Sequence, residues 1–167
     1  EPFSRLVNQG MITSFAFQRA NKTIVPVDEA EQRDDGNYYE KSTGEKLEQI
    51  VAKMSKSLKN VVNPDDEIKA YGADSVRMYE MFMGPLTMSK PWATQGIVGI
   101  HRFLEKVWAA SERNMDDTDI FGKLDDEKLI SARKTFVQTI KKVTNDTASL
   151  NFNTAISQMM ILMNEIT

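Results

Sequence analysis

The spacing of apolar residues changes after about residue 60, and this change constrains the fold more than any other feature of the sequence. Before it, short alternating runs are separated by turn dipeptides such as Asp35-Gly36 and Thr43-Gly44. That pattern is typical of a strand meander. After it, apolar residues recur every three or four positions, as in amphipathic helices. The sequence therefore predicts an α+β fold: a small strand-rich region, then short helices, then an incomplete antiparallel α-helical bundle.

The first fifty residues contain several strand candidates. Alternation predicts strands at 11–18 and 23–27, and a hairpin joining 29–34 to 37–41. A short apolar stripe predicts a helix at 2–9 before the strands begin. A meander of this size has too little apolar surface to be stable alone, so we expect it to pack on another element.

Two short helices are predicted next. Asn63 can cap the first, Pro64 suits its first turn, and Gly72 is a suitable left-handed terminator. A second helix is predicted from Ala73 to Phe82, and Gly84-Pro85 ends it.

Three longer amphipathic stripes joined by short links predict the bundle. They consist of Ile97, Ile100, Leu104, Val107 and Trp108; Leu129, Phe136, Val137, Ile140 and Val143; and Phe152, Ile156, Met159, Met160 and Met163. Because the third stripe runs to the last residues and the chain opens without an initiator methionine, we expect a piece of a larger protein.

Composition excludes several kinds of site. The chain has no cysteine and a single histidine, His101, so thiolate zinc sites and two-histidine sites are excluded and no metal site is predicted. His101 itself is expected to be a packed or edge histidine. The absence of a long apolar run favours a cytoplasmic protein that does not enter a membrane. With a net charge of −3, nucleic-acid contacts require a local basic face.

The lysine–serine loop, residues 53–60, is the strongest candidate site. Lys53, Lys56 and Lys59 lie with two hydroxyls directly before a predicted helix start. Ammonium and hydroxyl donors on a loop can stabilise the moving charge of a polyphosphate. The alternative is a solvated basic loop, which is the usual explanation of an arbitrary cluster of this kind.

A second cationic region lies in the middle stripe. Arg133, Lys134, Lys141 and Lys142 occupy a segment without acidic residues. They form either a solvated helix face or a face that contacts nucleic-acid phosphates.

The loop and its flanks carry a family resemblance that covers essentially the whole chain. The run from Lys53 to Pro64 reads KMSKSLKNVVNP, and the run from Tyr71 to Arg77 reads YGADSVR. With these runs the chain resembles the bacterial leucyl-tRNA synthetases, a family of class I aminoacyl-tRNA synthetases that share the KMSKS motif. Isoleucyl, valyl and methionyl relatives usually carry glycine where this chain has Lys59.

The resemblance implies a role in ATP-dependent charging of leucine onto tRNA(Leu), with Mg²⁺ accompanying ATP. It implies that Lys56 is the main phosphate-stabilising cation and that Lys53 assists it. Ser55 and Ser57 would also contact ATP, and the Met54 backbone would lie near the adenine.

The resemblance also implies a division of the chain and of the active site. Residues 1–51 would end the catalytic domain, 52–90 would hold the loop and the stem-contact helices, and 91–167 would begin a truncated tRNA-binding bundle. The family's HIGH-type motif needs two histidines, so we expect the chain alone to be inactive. The rest of a synthetase chain would be its partner, and the full enzyme would be a monomer. A free-standing helical tRNA-binding or interaction module without catalysis is the alternative, and a short reading frame would favour it.

Overall fold

The computed structural model describes residues 2–115 and 126–167. It has the α+β fold predicted from the sequence, with strands first and helices after them. The predicted short connection between the first two bundle helices falls on residues 116–125, outside the described residues. Two compact units divide the chain. The strand unit comprises Glu1–Asp65 and Thr87–Ala93, and the helical unit comprises Asp66–Leu86 and Thr94–Thr167.

The strand unit contains a six-stranded sheet. Its strands are β1 (Ile12–Gln18), β2 (Ile24–Val25), β3 (Ala30–Gln32), β4 (Tyr38–Glu40), β5 (Lys46–Ala52) and β6 (Lys90–Pro91). The order is β2-β1-β5-β4-β3 with antiparallel neighbours, and β6 pairs in parallel with β1. The predicted strand at 11–18 and the predicted hairpin around Asp35-Gly36 are confirmed. The strand predicted at 23–27 is shorter, because Val27–Glu29 forms a 3-10 turn.

A small apolar cluster holds the strand unit together. Phe17, Val25 and Leu47 are buried from three different strands, and half-buried Val27 packs against them. The rings of Phe17 and Tyr38 lie 4.5 Å apart between centroids. The cluster therefore joins the outer strands to the sheet centre and extends to the 3-10 turn.

The helix predicted at 2–9 is wrong. The described residues of this segment contain no helix, and Phe3 and Leu6 are 79% and 83% exposed. A helix of two turns is unstable without a surface to cover its apolar stripe. The following backbone is fixed instead: the Met11 N–H donates to Ser89 Oγ at 3.0 Å, and a Cβ on Gly10 would lie 2.2 Å from the Met88 backbone.

Five helices lie in the described part of the chain: α1 (Pro64–Tyr71), α2 (Ala73–Phe82), α3 (Thr94–Met115), α4 (Asp126–Ala148) and α5 (Phe152–Ile166). The predicted boundaries of the first two are confirmed. The Asp65 N–H donates to Asn63 Oδ1 at 3.2 Å at the start of α1. Gly72 follows the helix with φ +83°, a conformation that glycine adopts at low cost.

In the helical unit α5 packs against α4 and α2, and α2 packs against α3. The first contact is antiparallel, since Ser131 near the start of α4 donates to Glu165 near the end of α5. Gln158 on α5 also donates to Thr139 Oγ1 on α4 at 3.1 Å. At the α2–α3 contact the Tyr79 ring lies where a Cβ on Gly96 would be, so glycine permits this close approach.

The apolar stripe predicted on α4 is largely wrong. Phe136, Val137 and Ile140 are exposed, while Ala132 and Thr139 are buried. The buried face is rotated toward small residues, which allow α4 and α5 to lie close together. The positions of the large apolar side chains therefore predict the wrong face of α4 as the buried one.

The stripe predicted on α3 is correct only in its first half. Ile97 and Ile100 are fully buried, but Trp108 is 67% exposed. The ten-residue α2 is too short to cover the 22-residue α3 along its length.

Candidate active site

The lysine–serine loop connects β5 to α1 and is held by its own hydrogen bonds. The Ser55 N–H donates to the buried Asn60 side chain at 2.8 Å. Backbone bonds of 3.2 Å from Leu58 N to Ser55 O and 3.3 Å from Lys59 N to Lys56 O close two tight turns. The loop thus has a defined backbone path although it is neither helix nor strand.

Two further contacts fix the loop to the 3-10 turn. The Val27 N–H donates to Leu58 O at 3.0 Å, and Lys59 Nζ lies 2.5 Å from Asp28 Oδ2. The hydrogen bond from Lys59 lowers the pKa of Asp28, and the same bond raises the pKa of Lys59. Lys59 has φ +50°, in the left-handed region that favours glycine. Lysine therefore adopts at this position a conformation that would cost glycine less.

The predicted ATP-contacting residues differ in exposure and pairing. Lys53, Lys56 and Ser57 are exposed, whereas Met54 and Ser55 are half-buried. Within the described residues neither Lys53 nor Lys56 forms an ion pair, in contrast to Lys59. The Ser55 and Ser57 hydroxyls lie 2.8 Å apart, so one donates to the other. The loop therefore presents two exposed ammonium groups beside two hydroxyls on a fixed backbone, an arrangement suited to an anionic ligand.

The contacts that fix this backbone were not predicted from the sequence. Asn60 lies in the run from Lys53 to Pro64 and could have been predicted to hold the loop. An amide in an irregular segment can both donate and accept hydrogen bonds to the backbone. The contacts of Val27 and Asp28 could not be foreseen, because they join segments about thirty positions apart.

The four predicted tRNA-contact residues are all exposed on α4. Lys142 is paired with Asp146, with 2.8 Å between Nζ and Oδ2, and this bond lowers the pKa of Asp146. Within the described residues Arg133, Lys134 and Lys141 form no ion pair. Lys134 and Lys141 are two helical turns apart, on the side opposite buried Ala132 and Thr139.

His101 is placed as a structural histidine. Its Nδ1 lies 3.1 Å from Ser75 Oγ and its Nε2 lies 3.5 Å from Glu105 Oε1. Ser75 is 2% exposed, so its hydroxyl is inaccessible to a substrate and the arrangement is not a hydrolytic triad.

The described residues contain no group of three or more His, Asp or Glu side chains placed to hold a metal ion. None of their helices combines the length and apolarity needed to cross a bilayer.

The lysine–serine loop lies in a segment that is similar to known proteins. Residues 47–89, which include the loop, match the family model described as tRNA synthetases class I (I, L, M and V). The leucine–tRNA ligase of Treponema pallidum subsp. pallidum is 55% identical over 179 residues, covering 100% of this chain and 20% of that protein. The leucine–tRNA ligase of Borrelia turicatae is 54% identical over 166 residues, covering 99% of this chain and 19% of that protein.

A solved structure is also similar. It is the crystal structure of a ternary complex of Agrobacterium radiobacter K84 agnB2 LeuRS, tRNA and LeuAMS, with a TM-score of 0.57 and 27% identity. The match covers 68% of this chain and 16% of that one. This chain spans about a fifth of the length of the curated relatives that it matches. Over its whole length the chain is therefore similar to one part of the leucine–tRNA ligases, and residues 47–89 match the class I tRNA synthetase model.

Proposed function

We propose that this chain supplies the ATP phosphate-binding loop of a leucine–tRNA ligase that activates leucine and transfers it to tRNA(Leu). The observation that supports this most strongly is the contrast among the loop lysines. Lys59 is bound to Asp28, whereas Lys53 and Lys56 are exposed on a fixed backbone without an ion pair among the described residues. If Lys53 and Lys56 served only to stabilise the loop, we would expect each to pair with a carboxylate, as Lys59 pairs with Asp28.

The proposed chemistry is the formation of leucyl-adenylate. The leucine carboxylate attacks the α-phosphate of ATP, and the bond to the β-phosphate breaks to release pyrophosphate. Negative charge therefore grows on the leaving group, where Lys56 and secondarily Lys53 stabilise it. The Ser55 and Ser57 hydroxyls donate hydrogen bonds, and the Met54 backbone lies against the adenine. Mg²⁺ enters with the ATP phosphates.

We infer that the chain alone does not activate leucine. It has one histidine, placed against Ser75, so it lacks the two-histidine HIGH-type motif. Its relatives are about five times longer, which favours a part of a synthetase over a free-standing module. Leucine-dependent ATP–pyrophosphate exchange by the pure 167-residue chain would contradict this inference.

The helical unit is proposed to contact tRNA. Three of the four predicted cations on α4 are exposed without an ion pair in the described part of the chain, and the similar solved structure is a complex with tRNA. Clustered cations suit backbone phosphates, so we expect contacts that do not read base sequence.

The proposed loop function is tested with Lys56→Ala in the full-length ligase. We expect the kcat of leucine activation to fall by about 100- to 1,000-fold, because a donor to transition-state charge is lost. The KM for leucine should change little, since Lys56 acts on the phosphates. Lys69→Ala, an exposed lysine on α1, is the matched control and should keep full activity. An unchanged kcat in Lys56→Ala would refute the assignment.

A further inference from the structure

Asn60 stands apart from the other residues of the lysine–serine loop. Among residues 53–60, all of which the structure describes, it alone is buried, with 5% exposure. Neither the phosphate-binding role nor the apolar core of the strand unit accounts for it. A buried amide in an irregular loop needs a reason in its hydrogen bonds.

Those hydrogen bonds end on the backbone of the motif itself. Asn60 Oδ1 accepts from the Ser55 N–H at 2.8 Å, and Nδ2 donates to the Lys53 carbonyl oxygen at 3.4 Å. The opposite amide orientation would place Nδ2 against the Ser55 N–H, two donors facing each other, so the contacts define the orientation. One side chain therefore connects two backbone positions shortly before Lys56, those of Lys53 and Ser55.

We propose that Asn60 is a positioning residue for leucine activation. By tying Lys53 and Ser55 to the far end of the loop, it holds the backbone from which the Lys53 and Lys56 ammonium groups extend. Asn60 is buried, so it acts through these lysines without contacting ATP. This inference rests on the proposed function of the loop.

Positioning has a large effect on rate when charge must be stabilised at one place. A displacement of about 1 Å can cost about 100-fold in rate, because the transition state is stabilised only at close and correctly directed contacts. Without the amide, the Ser55 N–H and the Lys53 carbonyl would be free to turn toward water. The ammonium groups would then sample many positions, and few of them would suit the leaving pyrophosphate.

The experiment is a double-mutant cycle in the full-length ligase, with leucine-dependent ATP–pyrophosphate exchange as the readout. We expect Asn60→Ala to lower kcat by about 10- to 100-fold. In a Lys56→Ala background the same change should cost a clearly smaller factor than in the wild type, because of the two ammonium groups only that of Lys53 is left to position. Asn145→Ala, an exposed asparagine on α4, is the matched control and should keep full activity in both backgrounds.

A merely structural role predicts a different result. Loss of general stability would lower kcat by the same factor with or without Lys56, and that additivity would overturn the positioning role. Full activity of Asn60→Ala beside an inactive Lys56→Ala would overturn it as well. Full activity of Lys56→Ala would instead refute the proposed loop function.

A second variant covers the possibility that Asn60→Ala does not fold. Asn60→Asp keeps the shape and the acceptor for the Ser55 N–H but loses the donor to Lys53. It should retain more activity than the alanine variant where both fold, and its loss should likewise shrink in the Lys56→Ala background. Equal losses of Asn60→Asp in the two backgrounds would contradict the proposal.

Discussion

The lysine–serine loop and the basic face of α4 both expose several cations, but they specify the positions of those cations differently. In each region one lysine is bound to a carboxylate, Lys59 to Asp28 and Lys142 to Asp146. In the loop, side-chain and backbone hydrogen bonds define an irregular backbone path. Each lysine side chain therefore extends from a backbone position that is fixed individually. On α4 the helix sets the spacing, and the cations spread over about half of its circumference.

This difference predicts different chemistry. An individually fixed point can be matched to one developing charge, as catalysis requires. A spread of cations on a regular helix suits a polyanion with many equivalent phosphates, where no single contact dominates. Substitutions in the loop should therefore affect rate, and those on α4 should affect affinity and its salt dependence.

The largest expected effect separates the two regions by rate. In the full-length ligase, Lys53→Ala should lower the kcat of leucine activation by about 100-fold, since it removes one of two free ammonium groups. Lys134→Ala, also an exposed lysine, should leave leucine activation unchanged. Pyrophosphate exchange measures both. Equal effects of the two substitutions would remove the distinction between loop and helix.

The next effect concerns tRNA. Combined Lys134→Ala and Lys141→Ala should raise the KM for tRNA by about tenfold and flatten its log–log salt dependence by about one to two, because two phosphate contacts are lost. Aminoacylation at several salt concentrations measures this. Lys69→Ala is the control, and a salt slope identical to wild type in the double variant would contradict a tRNA contact on α4.

A smaller effect concerns the stability of the strand unit, which contains a buried carboxylate. Glu40 is 1% exposed and is bound by the Arg19 guanidinium and the Thr43 hydroxyl. The hydrogen bond from Arg19 is the main cause that lowers the pKa of Glu40 from 4.5 to about 2. Its stabilisation is therefore complete above about pH 4.5 and is lost as the pH falls toward 2.

Glu40→Gln should consequently lower the Tm at pH 7 by roughly 5 °C or more and weaken the decline of Tm between pH 5 and pH 3. Thermal unfolding of the chain followed by circular dichroism measures both effects. Glu45→Gln is an exposed neighbouring control and should retain most of the wild-type decline. A Glu40→Gln variant with the full wild-type decline would assign the pH dependence to other carboxylates.

The smallest effect is expected for Lys59→Gly. Glycine suits the φ of +50° at this position better than lysine does, but the change removes the ion pair with Asp28. These effects oppose each other, so the Tm should change by about 2 °C or less at low salt. At 1 M salt the ion pair is screened, and the variant should equal or exceed the wild type. A large loss of Tm at both salt concentrations would show that the lysine does more than pair with Asp28.

The sequence predicted the parts of the fold that depend on local chemistry. Asp35-Gly36 and Gly72 require particular backbone conformations, so they marked a hairpin and a helix end correctly. The buried face of α4 could not be read in the same way. Its buried residues, Ala132 and Thr139, are small or polar and carry little apolar signal, and their burial depends on the approach of α5.

In the candidate site, too, the residue types could be predicted from the sequence but the contacts between distant segments could not. The KMSKS motif was recognisable from the sequence as a cluster of cations and hydroxyls, because the chemistry of these side chains follows from the residue type alone. Their organisation was not visible, since the contact between Val27 and Leu58 joins separate parts of the chain. The ion pair of Lys59 was not visible either, because its partner, Asp28, lies 31 positions away in the sequence.

The pairing of β6 with β1 has a consequence for synthesis on the ribosome. Met11 and Lys90 meet through a 3.0 Å backbone bond, although the intervening chain includes two helices of the other unit. Part of the β1 edge therefore remains unpaired until Lys90 and Pro91 have emerged. During that interval an open strand edge is a potential site of mispairing with another chain. A stalled or truncated product ending before residue 90 should accordingly be more prone to aggregate than the chain that includes β6.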